Sequence, residues 1–234
     1  MFPLQALKKR KSTAYITYGL IALNVAVFLW ELTLVNRGVL GQTFYELALV
    51  PCRVRADFFS LETVTDSVRT MFLHGGWLHL IGNMVFLRVF GPAVEDYLGK
   101  ARYLVFYLLM GFAAGFAHTL FNTNCIPTIG ASGAISGVMG AFLLLYPATK
   151  VRTIAFFFRI PVGTVDVQAF YMLVYFFVLD LVNGIGSLGA ANSETGGVAF
   201  WAHVGGFVAG LLLAFTAMLF NPPPESDPFE YMDV

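Results

Sequence analysis

Charge is scarce in this chain. Of its 234 residues, 12 % are Asp, Glu, Lys or Arg, against 58 % hydrophobic. A soluble domain carries about 25 % charged residues, and half that share cannot cover a water-facing surface. Lipid must therefore solvate much of the chain. The charges also cancel, 14 basic against 14 acidic, and without a basic excess a nucleic-acid partner is excluded. Cysteine is nearly absent: Cys52 and Cys125 are the whole complement, and whether they pair is left open. No small-x-small cleavage site follows the basic run Lys8, Lys9, Arg10 and Lys11, and the apolar stretch after it is too long for a signal peptide. That stretch reads as a retained first span.

What the chain has instead is apolar runs. A hydrocarbon core ~30 Å thick takes ~20 apolar residues per helix. Six stretches qualify within a few residues at each end: Ala14–Leu34, Trp77–Asp96, Tyr103–Leu120, Ser132–Tyr146, Val167–Val182 and Phe200–Phe220, the fourth and fifth being short or interrupted. The expected fold class is an all-α membrane protein, a bundle of six transmembrane helices. Residues 1–13 would be a basic cytoplasmic N-terminus and residues 14–220 the bundle. Residues 221–234, acidic and proline-rich, would form a disordered cytoplasmic tail. The first loop, about residues 35–76, is too long for a simple connector, and its runs FYELALV and DFFSL suggest helices lying in the interface. Lys and Arg collect at one end: Lys8 to Lys11, Lys100 and Arg102, then Lys150, Arg152 and Arg159. The loops FNTNCIPTIG and NGIGSLGAANSETGG have none. The positive-inside rule then puts both termini in the cytoplasm and both cysteines outside, where a disulfide is chemically accessible.

The second, fourth and sixth spans all begin at the outer side, so their first turns share one depth. His79 and Asn83 lie one turn apart on the second, Ser132 opens the fourth in a glycine-rich run, and His203 lies a turn inside the sixth. Gly133 and Gly137 on the fourth span and Gly206 and Gly210 on the sixth are small-residue stripes of the kind that let helices approach closely in lipid. Packing them would set Ser132 against His203, the minimal unit of an activated hydroxyl nucleophile. The backbone N–H of Ser132, at a helix N-terminus, with Asn83 and His79, could receive an oxyanion. The set is complete for acyl transfer without a metal or other cofactor. No carboxylate is evident to orient His203, so the pair reads as a dyad. Asp180 lies near an outer helix end where it can reach water, and Arg88 is the isolated deep charge.

HGGWLHLIGN, GASGAISG and AHVGGFVAG together resemble the rhomboid intramembrane proteases over all six spans. The resemblance implies a six-helix bundle around a water-filled cavity open to the outside. It implies Ser132 as nucleophile, His203 as general base, and Asn83 and His79 as oxyanion donors. It further implies His74 as a hydrophilic cavity wall, Glu95 in GPAVEDYLG as a structural brace near the inner surface, and a short fourth span. The family's Trp-Arg in the first loop stands here as Val68-Arg69, and the position one turn after the nucleophile, aromatic in some members, is Ser136. The expected partners are the bilayer and single-span or other transmembrane protein substrates, cut near the outer ends of their helices. The expected membrane, from the compact six-span form and the lack of a transit peptide, is a bacterial inner membrane. The other reading is a catalytically silent binder of membrane-protein clients. A transporter would bring inverted repeats and mid-membrane charges.

Overall fold

The computed structural model describes residues 2–157, 160–188 and 198–222. Arg159, residues 189–197 of the last loop and the expected acidic tail at 223–234 lie outside the described residues. After a first strand, β1 (Phe2–Ala6), comes α1 (Tyr15–Asn36). Three short helices follow, α2 (Leu40–Leu47), α3 (Pro51–Ala56) and α4 (Leu61–Arg69), then α5 (Trp77–Leu98), α6 (Lys100–Phe121) and α7 (Ser132–Leu145). Strands β2 (Lys150–Phe157) and β3 (Ile160–Gln168) lead into α8 (Ala169–Ser187) and α9 (Phe200–Phe220). Five of these helices, α1, α5, α6, α8 and α9, are long and apolar enough to cross a membrane. The protein is thus a mainly helical integral membrane protein.

Helix α7 is the exception in length. At 14 residues it spans ~21 Å, short of a bilayer core. It tolerates this because it stands at the centre of the bundle, with every residue from Gly133 to Phe142 buried. Around it lie Leu87, Phe90 and Val94 of α5 and Tyr103 and Tyr107 of α6, none more than 0 % exposed. The rings of Phe90 and Phe142 meet edge-on at 5.1 Å.

Glu95 holds the opposite end of the bundle together. Ala14 precedes α1 and has no side chain to cap it. The buried Glu95 carboxylate does this instead, accepting from the N–H of Ile16 at 2.9 Å and of Thr17 at 2.7 Å, and from the Thr17 hydroxyl at 2.7 Å. An anion at the helix N-terminus satisfies its orphan donors and its dipole together. Asp96 takes the link before α1, accepting from Lys11 N–H and Ser12 Oγ.

Two features depart from the sequence reading, and a third decides a point that it left open. The first is an antiparallel sheet, β1–β2–β3, at the basic end. Residues 2–6, expected in a plain basic terminus, pair with β2 (Phe2 opposite Ile154, Ala6 opposite Val151), and β2 pairs with β3. Both long strands are rich in β-branched residues, and Val151 and Thr153 are buried, Thr153 against Met172. Val167 and Gln168 therefore belong to β3, and the fifth span begins at Ala169. Second, of the two runs expected as interfacial helices, FYEL lies in α2, but Asp57–Ser60 of DFFSL is the link from α3 to α4, with Phe59 89 % exposed. Third, Cys52 and Cys125 form a disulfide.

That disulfide is one of several ties between the first loop and the segment before α7. Cys52 N–H donates to Asn124 C=O, Thr128 N–H to Leu49 C=O, and Gly130 N–H to Thr70 C=O at 2.9 Å, while Thr70 Oγ1 bonds Thr128 C=O. Arg55 caps the end of α6, donating to the carbonyls of Thr119 and Leu120. Arg53 and Arg69 pair with Asp66 within the loop. The first loop is a frame that fixes where α7 starts.

Candidate active site

Ser132 is the first residue of α7. The turn into it passes through Gly130 at φ +121°, a conformation a side chain strongly disfavours. Against α7 lies α9, and this is the most extensive helix pair in the bundle. The small-residue stripes explain why. A Cβ on Gly206 would fall on the carbonyl oxygen of Gly133, and one on Gly210 on that of Gly137. On the other flank, Gly133 and Gly137 face Ala114 and Met110 of α6. With the backbones this close, Ser132 Oγ lies 2.8 Å from His203 Nε2.

The other nitrogen of His203 is also taken: Nδ1 lies 3.2 Å from Asp180 Oδ1. The carboxylate can only accept, so Nδ1 carries the hydrogen and Nε2 is left to receive a proton from Ser132. His203 is therefore held from both sides, and Asp180, which the sequence places near water, also supplies the carboxylate beside His203 that sequence reasoning did not find. Phe177, Asp180 and Gly184 form one stripe of α8, at spacings of three and four residues. All three meet α9: the ring of Phe177 stacks on Phe207 at 4.8 Å, and Gly184 lies under the Trp201 ring. The His203 and Asp180 side chains remain 16 % and 23 % exposed, so water reaches the pair. Ser136 is buried one turn below Ser132.

Asn83 and His79 come from the first two turns of α5 and lie beside the turn before Ser132. A Cβ on Gly130 would approach His79 Nε2 to 2.6 Å and Asn83 Nδ2 to 3.6 Å. His74, expected to wall a cavity, is instead buried at 1 % exposure and orients Asn83. Its Nδ1 lies 3.2 Å from Phe72 C=O and so carries hydrogen, and its bare Nε2 accepts from Asn83 Nδ2 at 2.9 Å. Burial, with His79 next in effect, pushes the His74 pKa down to about 4, so the ring is neutral and able to accept. One Asn83 hydrogen is engaged there and the second is left for a ligand. The backbone N–H of His74 donates to Glu31 Oε1 at 3.0 Å. Sequence reasoning passed over Glu31, although a lone carboxylate inside an apolar span is itself a signal of a buried partner.

The Rhomboid domain model matches residues 62–220 of the chain, which take in His74, His79, Asn83, Ser132, Asp180 and His203. RHOMBOID-like protein 6, mitochondrial, of Arabidopsis thaliana is 29 % identical over 154 residues, 65 % of this chain and 43 % of that protein. Rhomboid protein 1, mitochondrial, of Saccharomyces cerevisiae is 26 % identical over 204 residues, 84 % of this chain and 51 % of that protein. Rhomboid protease GluP of Bacillus subtilis is 33 % identical over 142 residues, 61 % of this chain and 24 % of that protein. The chain thus spans about half or less of each of these relatives. They come from a plant, a yeast and a bacterium, and so do not single out a bacterial inner membrane.

Proposed function

Because the chain belongs to the rhomboid family, we propose that it is an intramembrane serine endopeptidase whose nucleophile is Ser132. The observation that carries this reading is the Ser132 Oγ–His203 Nε2 contact of 2.8 Å with Asp180 on the far nitrogen. Residues 14–220 would form the protease domain. His203 Nε2 takes the Ser132 hydroxyl proton as Oγ attacks the scissile carbonyl, and Asp180 steadies the imidazolium that forms. The oxyanion receives hydrogen bonds from the Ser132 N–H and from Asn83, with His79 beside them. His203 then protonates the leaving amine, which departs, and a water activated by the same Nε2 hydrolyses the acyl-enzyme. Every proton moves between His203 and a reacting oxygen or nitrogen, so the chain's own residues suffice.

Substrates are proposed to be transmembrane helices cut near the outer end, with the basic end of the bundle in the cytoplasm. A helix hides its carbonyls in its own hydrogen bonds, so attack needs local unwinding. Spans with Gly or Pro near the outer end are therefore favoured, with a small residue before the scissile bond. The test is labelling by a fluorophosphonate together with cleavage of a single-span substrate in liposomes. The parent chain should do both, and Ser132→Ala should do neither while keeping its melting temperature. A parent chain that bound the substrate, but neither cleaved it nor took up the label, would be a silent client binder.

A further inference from the structure

Arg88 has no part in the chemistry above. It is exposed on α5, ten residues before Leu98, or ~15 Å along the axis. Among the described residues it makes no hydrogen bond or ion pair with protein. The carboxylates nearest to it on α5 are both engaged, Glu95 capping α1 and Asp96 holding the link before it. An arginine on the surface of a membrane helix is costly and marks a partner or a path to the interface.

Beside Arg88 lies a cavity of about 230 Å³. Among the described residues, its cations are Arg88, Lys8 and Arg10, its walls include Leu4, Tyr18 and Pro92, and no carboxylate is in the lining. The cations on the link are not swinging freely. Leu7 N–H donates to Lys150 C=O at 2.8 Å, just before Lys8, and Lys11 N–H donates to Asp96 at 3.0 Å, just after Arg10. The Lys8 ammonium also sits over the Tyr146 ring at 5.0 Å. The sheet and α5 thus clamp a short basic segment across from a deep arginine, at the end of the bundle where Lys and Arg collect.

We propose that this cavity seats the phosphate of an anionic phospholipid. The headgroup lies between Arg88, Arg10 and Lys8, and the acyl chains stay in the bilayer alongside α5. Basic pockets at this end of membrane proteins suit such headgroups. With three cations in its lining, two of them arginines, the cavity selects a net negative headgroup over a zwitterionic one. A lipid is favoured over free phosphate because one of the three cations stands on the surface of a helix long and apolar enough to cross a membrane, where acyl chains run alongside.

The test is native mass spectrometry of the full chain released from detergent, titrated in turn with phosphatidylglycerol, phosphatidylcholine of the same acyl chains, and inorganic phosphate. The parent should retain phosphatidylglycerol adducts. Arg88→Gln and Arg10→Gln should each weaken them about fivefold, and Arg88→Lys should restore most of the loss. Phosphatidylcholine adducts should be weak and equal in all variants. If Arg88→Gln failed to fold, Arg10→Gln, in an exposed link, would carry the comparison alone. The proposal is overturned by undiminished phosphatidylglycerol binding in the folded variants, or by equal affinity for the two lipids. Equal occupancy by inorganic phosphate would overturn it too.

Discussion

Replacing Asp180 by Asn changes a carboxylate to an amide of nearly the same size, so the helix seam should stand and the electrostatics alone should change. In the parent chain the carboxylate, 3.2 Å from Nδ1, fixes the hydrogen there and leaves Nε2 free toward Ser132 at 2.8 Å. An amide turned with its NH₂ toward the ring selects the other tautomer, in which Nε2 already carries a hydrogen and cannot serve as base. Turned the other way, it still lacks the charge that steadies the imidazolium. A hydrogen bond to a charged group contributes about 1.5–3 kcal/mol. This one is long for a charge-assisted contact and its partners are 16 % and 23 % exposed, which places it near 1.5–2 kcal/mol. Asp180→Asn should therefore lower kcat about 10- to 30-fold and leave KM in place, because Asp180 faces the histidine rather than the substrate. Steady-state cleavage of a single-span substrate in liposomes reads both constants. The rate of fluorophosphonate labelling should fall in parallel, and the melting temperature should hold. Full kcat and labelling in a folded Asp180→Asn variant, or a loss confined to KM, would remove Asp180 from the mechanism.

Gly206→Ala drives a Cβ into the Gly133 carbonyl. It should cost about 1–3 kcal/mol and reduce activity, read as a lower melting temperature in detergent, whereas Gly186→Ala, which meets open space, should change neither. Glu95→Gln keeps one acceptor oxygen but must set its NH₂ against the N–H of either Ile16 or Thr17, and should lower stability by about 1–3 kcal/mol while turnover below the melting temperature persists. Asn83→Ala should reduce kcat, by about 100-fold at most, with KM little changed. His74→Ala should show a weaker loss of the same kind, since it frees Asn83 to rotate without removing it; a rise in KM alone would refute the oxyanion role.

How much of this was legible in the sequence depended on the range of the signal. Apolar runs are long and self-contained, so the spans read from sequence lie within a few residues of the helices: Ala14–Leu34 against Tyr15–Asn36, and Phe200–Phe220 unchanged. The stripes Gly133/Gly137 and Gly206/Gly210 also announce a close helix pair, because lipid offers few other reasons for such spacing. Partners distant in sequence were harder. Residues 2–6 are too short to read as a strand without β2, some 150 residues on. Asp180 looked like a group heading for water because its own helix does not say which neighbour it faces. Phe177, Asp180 and Gly184 become a meaningful set only once α9 is laid along them. His74 and Glu31 were misjudged or passed over for a related reason. A polar residue at a membrane edge can face water or a buried partner, and local composition is the same in both cases.

The sheet also sets an order of assembly. Strand β1 is made before α1, yet its partner β2 emerges only after α1, α5, α6 and α7 have been made. Until then Phe2–Ala6 has no strand to pair with. Helix α1 can dock earlier, since Glu95 arrives with α5 and receives its first turn. Closing β1 on β2 joins segments far apart in the chain, a contact formed late because its loop-closure entropy must first be offset by nearer ones. The hairpin of β2 and β3 is local and can form as soon as Gln168 appears, giving β1 a ready edge. Residues 2–6 thus act as a late latch, closed on a bundle whose first four apolar helices are already in place.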